Sequence, residues 1–69
     1  MSLDELVTAG AFALYGAEHA HRIEEFRKSP NSDALIQRDF EDYKGKYVRK
    51  FQDFADQLAS RGLAIRPAA

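Results

Sequence analysis

One strong helix breaker separates two long segments, residues 3–28 and 33–61, neither of which contains a proline. It is Ser29-Pro30-Asn31-Ser32, where the ring of Pro30 disfavours helical backbone at Ser29 and the side chain of Ser32 can cap a new helix. A linker this short makes the two flanking helices lie antiparallel. We therefore predict helix 1 over about 3–28, a turn over 29–32, helix 2 over about 33–61 and a tail over 62–69.

The ends of both segments carry residues that begin and end helices. Ser2 followed by Glu5 has capping-box spacing, in which the serine oxygen accepts a hydrogen bond from the backbone three residues later. Gly62 follows the second segment and can adopt the left-handed conformation that stops a helix. These signals predict an all-α, single-domain chain that folds as an antiparallel two-helix hairpin.

The apolar residues of helix 2 form one near-heptad stripe, whereas those of helix 1 form two stripes on nearly opposite sides. The helix 2 stripe is Ile36, Phe40, Tyr43, Tyr47, Phe51, Phe54 and Leu58. The helix 1 stripes are, first, Leu3, Leu6, Val7, Gly10, Leu14 and Ala17 and, second, Phe12, Tyr15, His19, Ile23 and Phe26. One helix 1 stripe can pack on helix 2, and the other must be covered by something else.

A second copy of the chain is the expected cover for the remaining stripe. The chain has 69 residues and no cysteine, so disulfides cannot compensate for a core that is marginal at this length. We predict a homodimeric four-helix bundle with helix 1 at or near the two-fold axis. The expected dimer interface consists of Leu6, Gly10, Phe12, Ala13, Tyr15, His19 and Ile23. Which of the two stripes lies in the interface stays open.

Charge and hydropathy argue against several classes of partner. Ten basic and eleven acidic residues give a net charge of −1, so no overall field attracts the chain to nucleic acid or to an anionic membrane. The longest uncharged run, residues 6–17, is too short to span a bilayer, and Asp4 and Glu5 lie where a secretory signal would carry Lys or Arg. We expect a cytoplasmic protein that acts neither on nucleic acid nor in a membrane.

The sequence contains no recognisable catalytic or metal-binding motif. The nearest candidate is Glu18-His19-Ala20-His21, but residues two apart on a helix point in different directions and cannot bind one ion together. Packing or exposure to solvent explains both histidines better. We expect no enzyme activity, no cofactor and no metal.

Gly45 is unusual because it lies in the interior of helix 2, where glycine costs about 1 kcal/mol relative to alanine. It is either a tolerated exposed residue or the mark of a kink or of a close approach by a partner backbone. The sequence leaves both interpretations open.

Residues 43–51 of helix 2 have a local excess of positive charge, with four basic residues and no acid between aromatic residues. In one interpretation the aromatic residues form the core and the bases only face solvent. In the other, the segment binds phosphates through charge-assisted hydrogen bonds or an acidic protein surface, for which aromatic and arginine residues are common anchors. The candidate partner-binding residues are Lys44, Lys46, Tyr47, Arg49 and Lys50.

Two resemblances bear on function. The segment Asp53-Phe54-Ala55-Asp56-Gln57-Leu58 is similar to the end of the second helix in the Rop family of plasmid-copy-number regulators, which are dimeric helical hairpins that bind paired RNA loops. The span from Leu3 to Arg61 resembles, in size and helical-hairpin style, the quorum-sensing anti-activator family of Mu-like Pseudomonas phages. This second resemblance implies a dimer that binds a LuxR-type transcription regulator and blocks its binding to DNA, and a pilus-assembly ATPase as a further target.

On these grounds we expect a non-enzymatic interaction module that inhibits a host regulatory protein by covering its surface. The expected contacts are the basic segment of helix 2 and whichever part of helix 1 the dimer leaves open. The alternatives are a Rop-like RNA-binding bundle and a structural component of a larger assembly.

Overall fold

The computed structural model describes residues 2–67 and consists of three α-helices joined by short turns. The helices are α1 over Leu3–Glu18, α2 over Ala20–Phe26 and α3 over Ser32–Ser60. None of the residues described forms a strand, so the prediction of an all-α fold is confirmed. The final two residues of the predicted tail, Ala68 and Ala69, lie outside the described part of the chain.

Local hydrogen bonds explain where the first and last helices begin and end. The backbone N–H of Glu5 donates to Oγ of Ser2 over 3.2 Å, which satisfies one of the free N–H groups at the start of α1. After α3, Gly62 has a φ of 78°, the left-handed backbone that glycine adopts without strain. At the start of α3 Ser32 is the first helical residue, and Asn31 rather than Ser32 occupies the capping position.

The span predicted as helix 1 is divided into α1 and α2 by one non-helical residue, His19. Its backbone has φ −119° and ψ 28°, outside the helical region. The imidazole Nε2 lies 2.9 Å from the hydroxyl of Tyr47, and the ring stacks on Tyr43 with centroids 5.4 Å apart. These contacts with α3 favour the turn over a continuous helix, and they correct the expectation of one helix over 3–28.

The core lies between α3 and one side of the α1 and α2 pair. Its buried apolar residues are Ala11, Tyr15, Ile23, Ile36, Phe40, Tyr47 and Phe51. Tyr15 and Ile23 of the second helix 1 stripe belong to this core, and Leu14 of the first stripe packs against it, so both stripes contribute to the contact. The predicted stripe of helix 2 is buried over most of its length, but Phe54 keeps 49 % of its surface exposed. The core thus thins toward the end of α3.

Contacts between the helices run in opposite order along the chain. Arg22 reaches Asp39, and Tyr15 packs on Tyr47. Nearer the start of α1, the ring of Phe51 lies against the backbone of Gly10. A Cβ atom built on Gly10 would overlap that ring. Gly10 therefore sets how closely α1 and α3 approach each other at this end. The resulting body is elongated, measuring 42 × 22 × 17 Å.

The backbone of α3 continues through Gly45, and a Cβ atom built there meets nothing within 4 Å. The described chain therefore gives no reason of its own for a glycine at this position. No helix within residues 2–67 has the length and apolar character needed to cross a membrane.

Two of the three helical glycines, Gly10 and Gly45, give a matched pair of stability predictions. Gly45→Ala should raise the free energy of unfolding by about 1 kcal/mol, because alanine has the higher helix propensity and the space is open. Gly10→Ala should lower it by about 1–3 kcal/mol, because the new methyl group displaces the ring of Phe51. Urea unfolding followed by circular dichroism measures both. A stabilising Gly10→Ala would contradict the close approach of α1 and α3.

Candidate functional site

A buried carboxylate joins all three helices. Asp39 of α3 is only 7 % exposed. Its Oδ2 accepts a hydrogen bond from the hydroxyl of Tyr15 in α1 over 2.6 Å, and its Oδ1 lies 2.8 Å from Nη2 of Arg22 in α2. A carboxylate removed from water needs such partners, because leaving it unpaired costs several kcal/mol. Asp39 therefore ties α1 and α2 to one position along α3.

Next to this carboxylate lies a group of aromatic rings centred on Tyr15. Its ring meets that of Tyr47 edge to face, with centroids 6.1 Å apart, and lies 5.3 Å from the ring of His19. The His19 and Tyr47 side chains share a hydrogen bond whose direction depends on the histidine tautomer. We call Tyr15, His19, Arg22, Asp39 and Tyr47 the polar cluster. The hydroxyls of Tyr15 and Tyr47 and both carboxylate oxygens of Asp39 have partners inside this cluster, which supports a structural role.

The environment of Tyr15 changes its acidity. Burial of the side chain, assisted by the hydrogen bond to Asp39 and by that carboxylate's charge, raises the pKa of Tyr15 well above its ordinary value of 10.0. The hydroxyl thus stays protonated and keeps donating to Asp39 at every pH near neutrality.

Sequence reasoning missed Arg22 and Asp39 as members of this cluster. Asp39 lies three residues after Ile36 and directly before Phe40, so it sits on the edge of the apolar stripe. An acidic residue at such a position needs a donor from the facing helix. Arg22 lies three residues after His19, a spacing that places both side chains on the side of the helix toward α3. This spacing was the sequence signal that could have identified Arg22 as the donor to Asp39.

The four predicted basic residues lie on α3, and two of them are close to the buried ring of Tyr47. Lys46, Arg49 and Lys50 are exposed and Lys44 is half-buried. The ammonium groups of Lys46 and Lys50 lie 5.4 Å and 6.0 Å from the centroid of the Tyr47 ring, within the range of cation–π attraction. We call Lys44, Lys46, Arg49 and Lys50 the basic face. Its residues extend around the helix, because at about 100° per residue Lys44 points roughly 160° away from Lys46.

One of these bases is already paired within the chain. Nζ of Lys50 donates to Oε2 of Glu18 over 2.8 Å. This hydrogen bond lowers the pKa of Glu18 and raises the pKa of Lys50. Among the residues described, Lys44, Lys46 and Arg49 have no carboxylate within ion-pair distance. Those three carry the positive charge that is available to a partner.

Tyr47 has a different place from the one predicted for it. The side chain is buried in the core and its hydroxyl contacts His19, so it cannot itself face a partner. This corrects its inclusion among the partner-binding residues. The aromatic ring supports the basic face from below, where it holds the ammonium groups of two lysines.

The seven residues predicted for the dimer interface fall into two groups. Tyr15 and Ile23 are buried by their own chain, Gly10 is covered by Phe51, and His19 is half-buried against α3. The others keep accessible surface, with Leu6 half-buried and Phe12 and Ala13 exposed. The prediction of a dimer is not decided by this distribution, but only the second group has surface left for a second copy.

Two grooves open beside the polar cluster and the core. The Phe12 groove, of about 620 Å³, is lined by Asp4, Glu5, Thr8, Ala9 and Phe12 of α1 and by Gln37 and Phe40 of α3. The tail groove, of about 400 Å³, lies between the start of α1, the end of α3 and the tail. Its main apolar residues are Leu3, Leu6, Val7, Phe51, Ala55, Ala59, Leu63 and Ile65. Leu3 and Leu63 at its rim are 74 % and 55 % exposed.

No group of three or more potential metal ligands comes together anywhere in residues 2–67. Every buried side-chain nitrogen and oxygen in the same part of the chain has a hydrogen-bond partner. Comparisons with protein-family models, with curated proteins and with solved structures found no match. Functional inference therefore rests on the surfaces and grooves described above.

The buried hydrogen bond of the polar cluster can be tested by removing one hydroxyl. Tyr15→Phe should lower the free energy of unfolding by about 1–3 kcal/mol, because Asp39 loses one of its two buried partners. Tyr43→Phe is the matched control, since that tyrosine is half-buried and its hydroxyl is outside the cluster. Chemical unfolding measures both variants. Equal effects would mean that the Tyr15 hydroxyl contributes nothing specific.

The raised pKa of Tyr15 also predicts a dependence on alkaline pH. The folded state keeps the phenol neutral, whereas the unfolded chain ionises it above its ordinary pKa of 10.0. The stabilisation by this group should be fully present below pH 10 and decline as pH rises further. Unfolding midpoints measured between pH 8 and about 11 should fall less steeply for Tyr15→Phe than for the unsubstituted chain.

Proposed function

We propose that this protein is a non-enzymatic interaction module that binds and inhibits a host regulatory protein by covering part of its surface. The target class that fits the resemblance noted above is a LuxR-type transcription regulator, and a pilus-assembly ATPase is a further candidate. The protein acts as a dimer of antiparallel two-helix hairpins, arranged as a four-helix bundle in the cytoplasm.

The observation that carries this proposal is an excess of accessible surface. The chain exposes 5267 Å², whereas a compact monomer of 7.8 kDa is expected to expose about 4,400 Å². The excess of about 900 Å² is close to the roughly 800 Å² that each partner buries in a standard interface. A surface this large and partly apolar favours a chain that works in contact with another protein.

The chemistry of the exposed residues supports a protein target. Three residues of the basic face have no carboxylate at ion-pair distance within residues 2–67, namely Lys44, Lys46 and Arg49. Their positive charge can attract an acidic surface. Large apolar side chains also stand outside the core, among them Phe54 at 49 % exposure. Interfaces between proteins combine such apolar anchors with a charged rim. Both types of contact are carried by helices, which limits the ordering cost of binding.

The tail groove is the favoured position for the second copy. Its floor is apolar, and Ala55 and Ala59 lie one turn apart on α3, which leaves room for a partner helix to approach. Leu6 lines this groove, and Ala13 lies on the exposed side of the same helix. The basic face then remains available to the target.

Dimerisation can be tested by placing a charge in the tail groove. Ala59→Glu should halve the mass in sedimentation at tens of micromolar and lower the melting temperature, because a carboxylate buried there by the second copy has no partner. Ala34→Glu is the matched control, since Ala34 is exposed near the start of α3. A well-folded monomer of the unsubstituted chain would rule out the dimer.

Inhibition can be tested on a purified LuxR-type regulator bound to fluorescent DNA. Adding the protein should release the DNA and lower the fluorescence anisotropy. Arg49→Glu should weaken this inhibition at least ten-fold, about 1.4 kcal/mol, because it reverses a charge of the basic face. Arg38→Glu makes the same charge change elsewhere on α3 and should act like the unsubstituted chain.

Failure to release DNA would rule out this target class, and equal effects of the two arginine variants would rule out the basic face as the contact. The Rop-like alternative predicts a different result in the same assay series. A complex with RNA would be lost on nuclease treatment and would weaken steeply with rising salt. A protein complex with apolar anchors would change much less.

A further inference from the structure

We propose that the Phe12 groove binds a segment of a partner protein that carries one large apolar side chain and, about 12 Å away, an arginine or lysine. This inference rests on the proposed function, since it gives the chemistry of a protein partner, but it uses a surface separate from the basic face. At about 620 Å³ the Phe12 groove is larger than the tail groove, at about 400 Å³.

The apolar end of the groove is a fixed aromatic platform. Phe12 is 37 % exposed although its ring meets Phe40 edge to face, with centroids 4.9 Å apart. The ring of Tyr15 supports it from a second direction at 5.8 Å. A ring held on two sides and open on a third presents a rigid apolar contact at low entropic cost. A leucine, methionine or aromatic side chain of the partner fits this end.

The other end of the groove is negatively charged. Asp4 and Glu5 line it, and within residues 2–67 neither has a basic side chain at ion-pair distance. No basic residue lines the groove at any point. Its walls therefore combine unpaired carboxylates with an aromatic ring, the two groups that attract arginine and lysine. An acidic partner segment would be repelled.

The geometry of α1 fixes the spacing between the two contacts. Asp4 and Thr8 precede Phe12 by two turns and one turn on the same face of the helix. Eight residues at 1.5 Å each separate the carboxylate from the aromatic platform by about 12 Å. A helical partner lying along the groove must therefore place its apolar and basic residues seven or eight positions apart.

A synthetic peptide can serve as the probe. It is an alanine-rich helix of about 16 residues with one leucine and a pair of arginines seven and eight positions away, and a control peptide replaces both arginines with glutamate. In titrations of the ¹⁵N-labelled full chain, the arginine peptide should shift the amide signals of Thr8, Ala9 and Phe12 saturably. The glutamate peptide should leave these signals unchanged.

Neutral variants separate this site from other acidic surfaces. Asp4→Asn with Glu5→Gln should weaken binding of the arginine peptide at least five-fold, and the backbone bond from Glu5 to Ser2 is retained in this variant. Glu24→Gln with Asp53→Asn removes the same charge from exposed positions outside the groove and should bind the peptide like the unsubstituted chain.

Three outcomes would overturn the proposal: equal binding of the two peptides, no effect of the groove variant, or groove signals that shift when the protein alone is diluted, which would place a second copy there. Arg49→Glu keeps these results apart from the proposed function. It should weaken inhibition of the regulator at least ten-fold but leave peptide binding unchanged, because Arg49 does not line the groove.

Discussion

The packing of this small fold depends on the need to satisfy one buried carboxylate. Asp39 lies in a core of apolar and aromatic residues, where an unpaired charge would be strongly destabilising. Its two donors come from different helices, Tyr15 from α1 and Arg22 from α2. Sliding or rotating either helix along α3 would break one of these bonds. Apolar contacts alone allow such slippage, because many similar packings bury similar areas.

The aromatic residues further restrict how α1 and α3 pack against each other beside Asp39. Tyr15 and Tyr47 meet edge to face, and the turn at His19 directs the imidazole toward the same place on α3. At the far end, Gly10 admits the ring of Phe51 against the backbone of α1. The helices are thus held at two separated points, one polar and one purely steric. Between these points the surface of α1 is left free to carry the groove around Phe12.

The ends of α3 could be predicted from local sequence signals, but the contacts of the buried polar side chains could not. Pro30 and Gly62 act through their own backbone preferences, so the turn and the end of α3 could be predicted. The break at His19 and the burial of Asp39 depend on partners between 17 and 28 residues away in sequence, which periodicity does not reveal. The basic face could be recognised from the run of basic residues in the sequence. The Phe12 groove could not, because it forms only where α1 and α3 pack against each other.

The ion pairs of the structure differ in how far their side chains are exposed to water. Lys28 with Glu25 and Lys50 with Glu18 join exposed side chains, which contribute little to folding and are screened further by salt. Asp39, by contrast, is held by a neutral hydroxyl as well as by Arg22, so its attachment survives screening. Folding and partner encounter therefore respond to different solution variables. Raising the ionic strength should therefore weaken the two exposed pairs and any attraction of the basic face to an acidic surface, while the attachment of Asp39 is retained.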